Sequence, residues 1–296
     1  NSIEIIAIDF SNNISNSKVW EIDYKAPDVP NDHFGNASHL NREIFLADGK
    51  NNEFSLSQDV NDKDELFVQV NGVILENTDY SLDALSNRKI ITNSTPAKGS
   101  EINIFYNNWL SEIINTKKAT REVNEPYHAN NEGGASVWWS FTAPFDGVLS
   151  VRTVNTKVDT VLGLYQGSRV VNLALIQSND DDQLLKNLEG NPGLSRIDQA
   201  LFKGTTVKIA VDGFGGLKGD VGISSVFTSQ EVYSLVIEAG ENGSLKEPKL
   251  PFENDNGNRF GLYARDSVVE VIAEADEGYE FSGWSGSISS LDNPIR

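Results

Sequence analysis

The chain has 296 residues, enough to bury a substantial apolar core and more than one β-sandwich usually needs, so several domains are expected. A formal net charge of -19 gives it the same sign as a phosphate backbone or an anionic lipid surface, which argues against nucleic acid and membrane partners. With no cysteine, neither disulfides nor thiolate metal sites can support the fold, and only hard cations such as calcium remain open as inorganic help. No apolar run approaches the ~20 residues of a membrane helix, and no signal peptide opens the chain. The sequence also lacks methionine, so the segment is expected to be a processed or excised piece of a longer polypeptide.

Helical periodicity is nearly absent. Short runs of β-branched and aromatic residues alternate with clusters of Asn, Gly, Asp and Ser, which predicts an all-β chain. Ser2 to Phe10 reads as an apolar strand and Val19 to Tyr24 as an alternating one, before Pro27 and Pro30 end them. Residues 1–29 are therefore expected to be the tail of a preceding β domain or a linker.

Residues 42–107 carry a pattern of their own. Leu66, Val68 and Val70 alternate up to Asn71-Gly72, and Val73 and Leu75 alternate away from it. Asn-Gly supplies the two positive φ angles of a type I′ hairpin turn. With Phe45 to Gly49, Glu53 to Leu56, Asp79 to Leu82, Lys89 to Ile91 and Ala97 to Ile104, the segment resembles a small β module common in bacteriophage tail fibres and other virion proteins.

The flanks of that segment share one signature. Asn31-Asp32-His33-Phe34-Gly35-Asn36-Ala37 stands before it; after it come Ala119 to His128, Gly134 to Pro144, Val158 to Gly167, Asn179-Asp180-Asp181, Leu194 to Ile197 and Gly204 to Gly213. In this order the blocks resemble the β-sandwich domains related to the bacterial pre-peptidase C-terminal domain. The resemblance implies an antiparallel, jelly-roll-like sandwich over 30–41 and 108–229, with 42–107 inserted in a surface loop whose ends lie close together. It also implies an accessory module of secreted or surface proteins, without catalytic residues.

Residues 230–296 resemble an internalin-type B repeat, through Tyr233 to Ile237, Val268 to Ala273 and Gly278-Tyr279-Glu280-Phe281-Ser282-Gly283-Trp284-Ser285-Gly286. The family's last strand is expected beyond Ile295, so this domain reads as incomplete at its C-terminus, and Trp284 occupies a position that the family uses as a core anchor.

Chemistry is sparse. His33, His39 and His128 are scattered without zinc-ligand spacing and are read as buried or turn-stabilising. Gly283-Trp284-Ser285-Gly286 lacks the spacing of a nucleophile elbow, and Gly213-Phe214-Gly215-Gly216 lacks the Lys-Ser/Thr of a phosphate loop and reads as a hairpin loop. Trp138 and Trp139 are adjacent and must face opposite sides of a strand, one toward the core and one outward or beneath a loop. The one constellation suited to a ligand is Asn179, Asp180, Asp181 and Asp182, whose clustered oxygens fit calcium. An acidic turn that caps its own backbone is an equal alternative. Four consecutive side chains cannot all converge, so a calcium shell would need backbone carbonyls or a second loop near Asp159 or Asp212. No enzymatic activity is expected.

Two functional expectations follow. One is a structural and adhesive segment of a phage virion appendage; the other is a bacterial surface adhesin or the accessory region of a secreted hydrolase. Either places the chain outside the cell, on a virion or at a bacterial surface. Its partner would be a protein or glycan receptor or a neighbouring subunit, and a homo-oligomer is open.

Overall fold

The computed structural model describes residues 2–5, 18–21, 34, 38–39, 42–57, 59–60, 62–63, 66–76, 78–106, 108–110, 113–182, 193–254 and 256–296. The fold is all-β, built of several mostly antiparallel sheets, and the described helices are short 3-10 turns such as Phe214–Gly216. The glycine-rich stretch around that turn differs from the hairpin loop expected of it, because it joins Thr206–Gly213 to Asp220–Ser229, which lie in different sheets. Ser2–Ile5 pairs antiparallel with Lys18–Glu21, so the first two expected strands meet each other. Residues 6–10 and 22–24, and the opening motif at 31–37 apart from Phe34, lie outside the described residues.

Two sheets form a sandwich. One runs in the order Ala174–Asn179, Thr160–Gln166, Thr206–Gly213, Val137–Thr142 and Ser38–His39; the other runs Asn108–Leu110, Asp220–Ser229, Gly147–Val154 and Arg196–Leu201, with Ile114–Asn115 also on Asp220–Ser229. Ser38–His39 joins its neighbour in parallel. The chain on either side of 42–107 thus enters opposite sheets of one sandwich. Alternation explains the packing: on Gly147–Val154 the residues Leu149, Val151 and Thr153 turn inward while Arg152 faces solvent.

Val137–Thr142 departs from that rule, because both of its faces are covered. Trp139 joins Leu149, Val151 and Ile209 in the main core, while Trp138 points the other way, beneath Phe34 (ring centroids 5.2 Å apart) and beside Tyr165. The two tryptophans do divide between core and loop.

Residues 42–106 fold into two small sheets, Arg42–Leu46, Glu101–Tyr106, Leu66–Val70 and Val73–Ile74 in one, and Glu53–Ser55, Lys89–Thr92 and Tyr80–Leu82 in the other. They enclose Leu66, Val68, Tyr80, Ile90, Ile102 and Ile104. The hairpin turns through Asn71 (φ 52) and Gly72 (φ 82), and Val70 pairs with Val73. The Asn71 side chain then ties the turn to the neighbouring strand: Oδ1 accepts from Glu101 N–H at 2.9 Å and Nδ2 donates to Ser100 Oγ at 3.2 Å.

Phe67 and Phe105, opposite each other in register, point away from that small core and would be exposed on an isolated module. Instead they are buried. Phe105 stacks on Phe67 (5.1 Å), Phe67 meets Phe145 (4.8 Å), Phe145 meets Phe227 (5.0 Å) and Phe227 meets Phe141 (5.1 Å), so a chain of rings runs from the 42–106 sheets into the sandwich core.

The C-terminal part has Val232–Val236, Arg259–Ala264 and Phe252–Glu253 in one sheet and Gly243–Glu247 with Ile272–Ala275 in another. Val232, Phe252 and Leu262 pack into the sandwich core. Val271 and Ile295 exchange backbone hydrogen bonds of 2.8 and 3.0 Å. Trp284 differs from the core anchor expected of it. It is half-buried, touches Phe281 at 5.2 Å, and donates its indole N–H to the Asp292 carbonyl at 2.9 Å. With neighbouring Leu291 82% exposed, the ring pins a surface loop.

Candidate functional site

Two polar knots lie within the sandwich, and both draw largely on the residue blocks singled out in the sequence. The first lies under the loop before Val137–Thr142. Glu125 and His128 are 3% and 2% exposed. The His128 ring bridges them to the sheet, with Nε2 at 2.9 Å from Glu125 Oε1 and Nδ1 at 2.6 Å from Tyr165 Oη. A carboxylate only accepts, so Nε2 carries its hydrogen toward Glu125, and the Tyr165 hydroxyl completes the bridge at Nδ1. Glu125 Oε2 accepts from Glu122 N–H at 2.8 Å, and Glu122 Oε2 accepts from Phe34 N–H at 2.8 Å, which fastens the remote N-terminal piece. Arg121 donates to the Glu125 carbonyl and lies 4.4 Å above the Tyr127 ring.

Asp212 completes the knot. It is 1% exposed and accepts N–H bonds from Gly134 (2.7 Å), Ala135 (3.0 Å) and Gly213 (2.7 Å). A Cβ on Gly133 (φ +58) would fall 1.9 Å from Asp212 Oδ2, which is why the loop needs glycine there. Burial raises the Asp212 carboxyl pKa, while the three N–H donors and His128 pull it down. The Tyr165 hydroxyl is pushed up by burial and then by the Glu125 charge. Glu125, His128, Tyr165 and Asp212 are at most 3% exposed, each engaged with a neighbouring side chain or with backbone. Their arrangement can anchor a loop.

The second knot brings Asp159-Thr160, Asn179 to Asp182 and Ser195-Arg196 to one place. Thr160 Oγ1 donates to Gly193 O (3.0 Å) and lies 2.9 Å from Thr153 Oγ1, which accepts from Ser195 N–H (2.9 Å). Ser195 Oγ sits 2.6 Å from both the Thr160 and the Asp180 carbonyls. Asn179 accepts from Arg196 N–H at 2.9 Å and donates to the Asp181 carbonyl at 3.1 Å. The buried Asp182 gives its N–H to Leu194 O at 2.6 Å.

The four predicted calcium ligands therefore divide. Asn179 is engaged in the loop and Asp182 is turned into the protein, whereas Asp180 and Asp181 act on a third carboxylate, Asp159. Its pKa is raised by burial and then by the charges of Asp180 and Asp181. Gly193 (φ +92) leaves room for it, since a Cβ there would fall 2.2 Å from Asp159 Oδ1. Of the two helpers considered for a calcium shell, Asp159 is the neighbour, and the Asp212 carboxylate is spent on backbone N–H groups. Among the described residues, no three or more His, Cys, Asp or Glu side chains form a ready metal shell. His33 lies outside the described residues, and His39 sits on Ser38–His39. Reading the sequence missed the clamps Gly193 and Ser195: Ser195 stood only as a member of the Leu194 to Ile197 block, and Gly193, just before that block, carried no signal.

Residues 233–294 match the family of the divergent InlB B-repeat domain. This match points to a cell-surface or extracellular, adhesion-type region. No curated protein matches the chain. Among solved structures, the chain is similar to a cycloalternan-forming enzyme from Listeria monocytogenes in complex with a pentasaccharide substrate, at 10% identity and a TM-score of 0.23, over 77% of this chain and 22% of that one. The same figures hold for an uncharacterized protein from Listeria monocytogenes EGD-e in complex with alpha-D-glucose, beta-D-glucose, magnesium and calcium. The chain spans only 22% of each, and at a TM-score of 0.23 the likeness carries no argument. No described helix is long and apolar enough to cross a membrane.

Proposed function

We propose that this chain is a non-catalytic, structural and adhesive segment of a longer protein displayed at a bacterial surface or secreted, and that it engages a protein or glycan receptor or a neighbouring subunit. The B-repeat match over 233–294 carries this reading. The two knots support it, because the acid, histidine and hydroxyl groups that could suggest catalysis are occupied in holding loops. A second reading, a segment of a phage virion appendage, is favoured by the inserted module with its Asn71-Gly72 hairpin and resemblance to tail-fibre modules.

Labelled chain incubated with bacterial cells and with a glycan array is expected to show saturable binding. In parallel assays, peptide, ester and glycoside substrates are expected to remain intact. Hydrolytic turnover abolished by a single substitution within the chain would refute the non-catalytic reading; the absence of binding to any cell or glycan would refute the adhesive one.

A further inference from the structure

When glycine follows Asn or Asp, its backbone nitrogen meets little steric hindrance in attacking the side-chain carbonyl carbon to close a five-membered succinimide. The chain has six such pairs: Asp48-Gly49, Asn71-Gly72, Asp146-Gly147, Asp212-Gly213, Asn242-Gly243 and Asn256-Gly257. In five of them one reacting partner is held. Asp48 accepts from Lys50 N–H, Asn51 N–H and Asn51 Nδ2 at 2.7, 2.8 and 2.7 Å. Asp146 accepts from Lys203 N–H at 2.7 Å. Asp212 is fixed by its three N–H donors, and Asn71 by Glu101 and Ser100. At Asn256-Gly257 the attacking nitrogen is tied, because Gly257 N–H donates to Asn254 O at 2.9 Å.

Asn242-Gly243 is the exception. The Asn242 side chain is exposed, and no hydrogen bond holds it among the described residues. Its backbone has φ 63, and its carbonyl accepts from Asp276 N–H at 3.0 Å. Antiparallel pairs alternate between bonded and unbonded. The next pair, Gly243 with Ala275, is therefore unbonded, and Gly243 N–H points away from Ile272–Ala275, the only described strand that pairs with Gly243–Glu247. Neither the nitrogen nor the side chain it must reach is tied by a hydrogen bond among the described residues.

We infer that Asn242 is a site of spontaneous, self-directed modification: deamidation through a succinimide, at the entrance to the second sheet of the B repeat. The Gly243 nitrogen gives up its proton to base and bonds to Asn242 Cγ; the Cγ–NH2 bond breaks and ammonia leaves with a proton. Water then opens the ring at either carbonyl, giving an aspartyl or an isoaspartyl residue. Either product places a new carboxylate beside Glu241 and opposite Asp276, and the isoaspartyl form also adds a methylene to the main chain just before Gly243–Glu247. Both loosen the pairing with Ile272–Ala275.

The test is peptide mapping by mass spectrometry of the intact folded chain, aged at mildly alkaline pH, beside the same chain aged in urea. In urea the three Asn-Gly pairs are equivalent and all gain the mass of NH2 exchanged for OH. In the folded chain Asn242 is expected to convert roughly tenfold or more faster than Asn71, whose two hydrogen bonds must open first. An Asn242→Gln variant should lose that signal and leave the other peptides unchanged. Conversion of Asn242 no faster than that of Asn71 or Asn256 in the folded chain, with all three reacting in urea, would overturn the inference.

Discussion

The Phe67 contact offers the sharpest test of how residues 42–106 are attached to the sandwich. Phe67 is 7% exposed, yet it faces away from the small core of its own module, and its covering comes from Phe105 on one side and Phe145 on the other. Truncating a buried phenylalanine to alanine costs about 3–5 kcal/mol, of which each ring pair accounts for about 0.5–1.5 kcal/mol. Phe67→Ala deletes no atom from the sandwich. All five tryptophans lie outside 42–107, so their fluorescence reports the sandwich and its other neighbours rather than the insert. If the ring chain couples the two bodies, urea unfolding followed by tryptophan fluorescence should shift to lower denaturant. With a slope near 3 kcal/mol per molar, a loss of about 3 kcal/mol moves the midpoint by about 1 M. A double-mutant cycle with Phe145→Ala should return a coupling of about 0.5–1.5 kcal/mol. An unmoved tryptophan transition, or a coupling below about 0.3 kcal/mol, would show that the rings touch without linking the stabilities of the two bodies.

Three further outcomes are expected. We propose that 42–107 is an inserted lobe, so replacing it with a short Gly/Ser linker should leave a cooperatively unfolding remainder, because loop closure changes by only ~0.6 kcal/mol per doubling of length; a soluble product without a cooperative transition would show a shared core instead. Asp159 has a folded pKa raised above its unfolded value of about 3.9, so the folded state holds the extra proton in that window and stability falls as pH rises through it. Melting temperatures across that range should therefore decline less in Asp159→Asn, and a slope equal to the parent's would count against the carboxylate cluster. We also propose that calcium relieves the same repulsion: with a dissociation constant of about 10⁻⁴ to 10⁻³ M, a hundredfold excess stabilises by ~2.7 kcal/mol. The melting temperature should rise in calcium relative to chelator, but not in an Asp180→Ala, Asp181→Ala variant, and identical curves for the parent would favour the plain acidic turn.

What could be read from the sequence followed the range of the interaction that placed it. The Asn71-Gly72 hairpin was legible because turn chemistry is local, and the opposite facing of Trp138 and Trp139 because alternation is. The sequence offered Asp159 and Asp212 as alternative neighbours of the Asn179 to Asp182 cluster; which of the two shares its field stayed hidden until Thr160 met Gly193 and Ser195 met Asp180. The Glu125–His128–Tyr165 bridge was hidden likewise, since nothing near Tyr165 in sequence announces the imidazole it holds. Phe67 is the instructive miss. The alternation of Leu66, Val68 and Val70 leaves Phe67 on the opposite face of the strand, and it does sit there; what alternation cannot supply is that Phe145 covers that face.

The signature residues gain their meaning from the same geometry. Glu125, His128, Asp159, Thr160, Ser195 and Asp212 are of types that catalysis uses, and their ordered recurrence could equally mark an active site or a scaffold. On the non-catalytic reading that we propose, access separates the two. A catalytic acid or nucleophile must reach a substrate, whereas Glu125, His128, Thr160, Ser195 and Asp212 are all at most 3% exposed, and each is hydrogen-bonded to backbone or to another buried side chain. An all-β sandwich without cysteine or a described α-helix must close long loops by such means, because a loop lying on a sheet buries backbone groups that need partners. Only Asp159, partly open and facing two further carboxylates, is left with chemistry still to offer, and so calcium binding is best tested there.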